Sequence, residues 1–111
     1  MEIMQTTQND TIILGLKGRL DTLSSTELEK TLADLLAEKK YKLVIDFSDL
    51  DFISSSGLRV LLATGKQLKS VGGKIVLCAL QNHVKEVFDV AGFTMLFVLY
   101  PSRDEAVKGI A

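Results

Sequence analysis

Only one cysteine, Cys78, and one histidine, His83, occur in the 111 residues, so no internal disulfide can form. A zinc site built from those residue types is excluded for the same reason. Cys78 lies inside the apolar run Lys74 to Leu80, which makes it an expected buried core thiol with no activating partner nearby in sequence. No apolar run approaches the roughly 18 residues of a membrane span. The first residues also lack a basic region followed by an apolar core, and a cytoplasmic location is the expectation. Basic residues never cluster beyond the pair Lys39 and Lys40, and 13 Lys plus Arg against 14 Asp plus Glu leave a formal net charge of -1. Direct nucleic-acid binding is therefore not expected.

Motifs of catalysis and nucleotide binding are missing as well. There is no Walker A sequence and no dinucleotide fingerprint, and Gly72, Gly73 and Lys74 read more simply as the end of a helix. The nucleophile-elbow pattern, glycine two residues before and after a serine, is absent around Ser54, Ser55 and Ser56. His83 is expected as an exposed residue on the polar side of a helix, which leaves those serines without a base. No catalytic residue, metal or cofactor is assigned, and the chain is not expected to be an enzyme.

What is present suffices for one domain spanning residues 1–111, with 47% hydrophobic and 24% charged residues, an ordinary globular balance. Glu2 to Thr7 and Thr11 to Gly18 read as two strands around the turn Gln8, Asn9, Asp10, an antiparallel hairpin. Ser24, followed three residues later by Glu27, has the spacing of a capping box. Leu28, Leu32, Leu35 and Leu36 then recur at helical spacing, up to about Glu38. Leu43 to Phe47 is a strand covered on both sides, interrupted by Asp46. A leucine-rich helix follows, ending at Gly72 and Gly73, and Ile75 to Ala79 is another buried strand. Asn82 is the expected cap of a third helix with core positions Val84, Val87, Phe88 and Ala91, closed by Gly92. Met95 to Tyr100 supplies a last strand, and Ser102 begins a terminal helix after Pro101. Alternating strands and helices with short connections imply an α/β fold, its parallel strands joined by right-handed crossovers.

One run concentrates the chemistry. Between the strand at Leu43 and the helix through Leu62 stand an acidic segment, the serines Ser54, Ser55 and Ser56, and Gly57. A helix N-terminus leaves backbone N–H groups unpaired and carries partial positive charge, so it accepts a serine oxygen or a phosphate. Capping alone is worth about 1 kcal/mol and needs one hydroxyl. Two remain, at the carboxyl end of a parallel strand, where open α/β sheets carry function. Asp46, Asp49 and Asp51 precede them; a magnesium site is conceivable there, and a turn is the simpler reading.

Two short motifs, Gly18-Arg19-Leu20-Asp21 and Phe52-Ile53-Ser54-Ser55-Ser56-Gly57-Leu58, followed by Gly73-Lys74 and Gly92-Phe93, resemble the STAS domain family. The resemblance covers essentially the whole chain and is specifically to stand-alone bacterial anti-sigma factor antagonists. It implies a right-handed βα superhelix with a mostly parallel sheet and an N-terminal antiparallel hairpin, without catalysis of its own. It further implies binding to a serine kinase that is also an anti-sigma factor, which releases a sigma factor to direct transcription. Phosphorylation by that kinase ends the interaction and a phosphatase restores it. In the family the modified residue stands two positions before the glycine, here Ser55. The position before it, often aspartate, is Ser54. Asp21 matches the family's acidic residue bordering the same surface, with Ser54, Ser56 and Gly57 beside it as expected partner contacts. Arg59, one helical turn after Ser55, is a further candidate contact by position, with a solvated helix arginine the alternative. An alternative is a STAS subunit of a transporter or a sensory signalling assembly.

Overall fold

Residues Glu2–Gln8 (β1) and Thr11–Leu20 (β2) pair antiparallel, from Glu2 opposite Lys17 to Gln8 opposite Thr11, in a computed structural model that describes Met1–Ala111. The two-residue turn between them places Asn9 at φ 58°, a left-handed conformation asparagine tolerates. From β2 onward the sheet is parallel. Strands β3 (Lys42–Ile53), β4 (Lys74–Cys78) and β5 (Val98–Tyr100) add in turn, giving the order β1-β2-β3-β4-β5. Helices α1 (Thr22–Ala37), α2 (Ser55–Ser70), α3 (Asn82–Val90) and α4 (Arg103–Ile110) connect or follow them.

Alternation along β3 divides the domain into two unequal cores, because successive strand side chains point to opposite faces. Leu43, Ile45 and Phe47 face a cluster of 20 buried residues that includes Leu28 and Leu32 of α1, Leu61 and Leu68 of α2, and Phe88 of α3. Phe88 meets Phe47 and Phe97 edge-on, with ring centroids 5.9 and 6.2 Å apart. Val44 faces the other way, into a cluster of 6 with Ile13, Val76, Cys78, Ala106 and Ile110. Helix α4 supplies the last two. Cys78 is buried there, as expected, and its thiol is pushed up to about 12 by burial first and by the Asp46 charge second.

Five expectations need correction. Strand β3 does not stop at Phe47: the acidic segment continues as strand to Ile53, with Leu50 and Ile53 buried and register shifts after Gly15 and Gly18 on β2. Helix α1 starts at Thr22 and is capped by Asp21, not Ser24, because β2 ends at Leu20 and Asp21 and Ser24 close the box at the same three-residue spacing one turn earlier. Asn82 does not cap α3; the N-cap position is Gln81, whose amide instead donates to the carbonyls of Ser48 and Leu50 at 3.1 and 3.0 Å. Strand β5 is only Val98–Tyr100, with Met95 and Leu96 94% and 59% exposed. Finally, of the expected α3 core positions only Val84 and Phe88 are buried, while Val87 and Ala91 are exposed on the side of the helix turned from the sheet.

Candidate functional site

Strands β2 and β3 end in register, with Leu20 opposite Ile53, so the residues that follow, Asp21 and Ser54, stand side by side. The Ser54 N–H donates to the Leu20 carbonyl at 2.8 Å and ties the two chain crossings together. Each of the two residues is then the N-cap of the helix it precedes, so α1 and α2 start together on one rim of the sheet.

The Asp21 cap is the tighter. Its carboxylate accepts from the Ser24 N–H at 2.9 Å and the Ser24 hydroxyl accepts from the Asp21 N–H at 2.9 Å, a reciprocal capping box. The Ser24 N–H and then its hydroxyl hold the Asp21 carboxyl below the usual carboxylate range. Asp21 is therefore a fixed anion on the rim at neutral pH.

The serines divide the work at the start of α2. Ser54 Oγ accepts from the Gly57 N–H at 3.2 Å, which makes Ser54 the cap. Ser55 follows as the first helical residue and is exposed. It borders a shallow groove between α2 and α3, with Leu58, His83, Glu86, Val87 and Val90. Ser56 is half-buried and turns the other way, lining a second groove against α1 with Arg59, Thr22, Ser25 and Glu29. Ser55 and Arg59 thus border different grooves. Gly57 is buried beneath Leu20: a Cβ there would sit 2.8 Å from Leu20 Cγ and Cδ2 and 3.0 Å from Ile53 Cγ1. Its lack of a side chain lets α2 approach β2.

The acidic residues do not form a metal centre. Asp46 is buried on the α4 side of the sheet, where its carboxylate accepts from Arg103 Nε at 2.8 Å and from the Ser48 N–H at 2.9 Å. Asp49 and Asp51 are exposed, and no three His, Cys, Asp or Glu side chains converge on a metal-sized site.

A family model described as the STAS domain matches residues 2–106. The chain belongs to the STAS domain family. Among its relatives is BtrV of Bordetella bronchiseptica, a candidate anti-sigma factor antagonist, 41% identical over 95 residues, 86% of this chain and 82% of BtrV. Its fold matches the crystal structure of a candidate anti-sigma factor antagonist from Thermotoga maritima, with TM-score 0.93 at 22% identity, covering 97% and 93% of the two chains. It also matches the Bacillus cell fate determinant SpoIIAA in its phosphorylated form, TM-score 0.79 at 19% identity, covering 99% and 100%.

Two contacts of this STAS domain were not read from its sequence. Arg19 lies over the Phe52 ring, 4.2 Å from guanidinium carbon to centroid, a pairing set by the register that puts those two residues opposite each other. His83 is exposed, as expected, and its Nε2 donates to the Asp51 carbonyl at 2.6 Å, joining α3 to the end of β3. The only sequence signal for either was the motif residue Phe52 and the placement of His83 at a helix start. No helix of the STAS domain is long and apolar enough to cross a membrane.

Proposed function

We propose that this STAS domain is an anti-sigma factor antagonist that binds a serine kinase acting as an anti-sigma factor and is switched off by phosphorylation of Ser55. The observation that carries the reading is the division of labour among the serines. Ser54 is occupied as a cap and Ser56 is half-buried, whereas Ser55 is exposed on the rim. A kinase needs a hydroxyl it can reach without unfolding its substrate. Similarity to BtrV at 41% identity supports the antagonist role itself.

The chemistry explains how such a switch works. A phosphate on Ser55 adds about −1.5 to −2 charges at the first residue of a helix, a place that tolerates anions, so the fold persists. The change falls on the surface instead. Asp21 already presents negative charge on the same rim, and the phosphate adds to it in a partner interface that would bury both. Reversing occupancy from 1:99 to 99:1 takes about 5.5 kcal/mol of differential affinity. Asp21, Ser54, Ser56 and Arg59 form the contact surface, which the grooves on either side of Ser55 extend, whereas Gly57 is buried and serves that surface only by letting α2 sit close to β2. A phosphatase returns the domain to its binding state, the domain itself performs no catalysis or cofactor chemistry, and the exchange takes place in the cytoplasm.

The test pairs the purified chain with its cognate kinase and ATP. The expected result is one phosphate on Ser55, with binding weakened by at least a hundredfold; Ser55→Ala takes no phosphate and stays bound. Phosphate incorporation that persists in Ser55→Ala overturns the assignment.

A further inference from the structure

At the opposite end of α2, ten residues and roughly 15 Å of helix beyond Ser55, a second concave site opens between the last turns of α2 and the β4–β5 edge. It measures about 410 Å³ and has an apolar floor that includes Leu62, Ile75, Phe97 and Val98. That volume falls in the range of small-molecule pockets.

Two independent features bear on what it holds. The first is charge: Lys66, Lys69 and Lys74 stand on its rim, all exposed, and no acidic residue lines it. The two ion pairs of the protein, Lys42–Asp10 and Arg103–Asp46, involve none of them. Lys69 also suits the negative C-terminal end of α2. Lys66 and Lys74 have no such role. The second feature is Gly65, where a Cβ would meet Ile75 at 3.6 Å and Phe97 at 3.7 Å, ordinary contact distances. Packing does not require glycine there, and its helical conformation does not either, so the missing side chain leaves the groove open at a helix-propensity cost.

We infer that this groove binds the carboxylate form of a straight-chain fatty acid, its tail on the apolar floor and its head among the three lysines. A cationic rim around an apolar trough complements an anion with a long apolar tail. An acidic helix or an anionic bilayer would meet the same lysines, and each is separated from the fatty acid by the test below.

Decanoate is the probe, titrated below its micelle limit into the full chain and followed by amide NMR shifts. Saturable shifts at Gly65, Gly73 and Phe97 are expected. Affinity should rise roughly 10-fold for each two carbons from octanoate to dodecanoate, and decanol should bind about 5-fold more weakly than decanoate. Gly65→Leu, which fills the trough, should abolish the shifts. Lys66→Gln with Lys69→Gln and Lys74→Gln, all on the surface, should weaken decanoate to the level of decanol and keeps the test intact if Gly65→Leu does not fold. Absence of saturable shifts, affinity indifferent to chain length, or binding of anionic vesicles or acidic peptides without decanoate each overturns the inference.

Discussion

Gly57→Ala is the substitution for which the geometry makes the sharpest demand. The added methyl would stand 2.8 Å from two carbons of Leu20 and 3.0 Å from Ile53 Cγ1. Neither neighbour is a loose surface chain, since Leu20 is 0% and Ile53 3% exposed. Relief therefore requires α2 to lift from β2, which strains the Ser54 to Leu20 bond that joins them. Overpacking of this kind costs about 1–3 kcal/mol, and alanine recovers up to about 1 kcal/mol of helix propensity over glycine. A net loss of up to about 2 kcal/mol follows. With a urea m-value of roughly 1.5 kcal/mol/M, the unfolding midpoint should fall by up to about 1 M. Gly65→Ala is the internal control. It has the same chemistry in the same helix with contacts of 3.6 and 3.7 Å, so the propensity gain dominates and the midpoint should rise. A Gly57→Ala midpoint at or above wild type, or two variants that shift together, refutes the packing argument.

Three further outcomes follow from the caps and the buried charges. Ser54→Ala should lower stability by about 1 kcal/mol in thermal unfolding through loss of the α2 cap, while Ser55→Ala should stay within about 0.5 kcal/mol of wild type. Arg103→Met should cost about 2 kcal/mol, below the 3–5 of fully buried pairs, because the Arg103 side chain is 42% exposed whereas that of Asp46 is 8%. Adding Asp46→Asn should recover part of that loss in urea titrations. The Cys78 thiol rises from 9.0 to about 12 in the fold, so above pH 9 the unfolded chain loses a proton the native chain keeps. Its contribution to stability is complete below that pH and declines toward 12, so wild type should lose ground to Cys78→Ala between about pH 8 and pH 10.5. A pH-independent difference between the two counts against this.

Hydrophobic period together with turn, cap and glycine signals located the hairpin, the three main βα crossovers and the serine run at a helix start. These elements are legible because their apolar spacing is long and bounded by turn residues. The extension of β3 was not, since Ser48-Asp49-Leu50-Asp51 has turn composition and is held as strand by pairing with Lys17 and Gly18 across bulges. Local rules also misjudged two caps. Both Asp21 and Ser24 are good caps, and which one starts the helix is settled by where β2 ends. Gln81 replaced Asn82 because its longer amide reaches two carbonyls of the bulged strand, a tertiary contact invisible to spacing. At the site, the adjacency of Asp21 to Ser54 depends on strand register, and the opposite facing of Ser55 and Ser56 depends on where α1 and α3 pack.

The division into cores of 20 and 6 residues has a kinetic consequence. One face of the sheet is held by three helices, of which α1 and α2 also pack on each other, the other by a single 8-residue helix. A helix that short has little stability apart from its docking, so undocking of α4 is a smaller event than global unfolding and happens more often. Such an opening uncovers Val44, Val76 and Cys78 while α1 and α2 and the serine rim stay assembled. The lone thiol of the chain thereby becomes a clock. Its labelling rate in the native state measures how often the back of the domain opens, independently of the surface through which the front meets its partner.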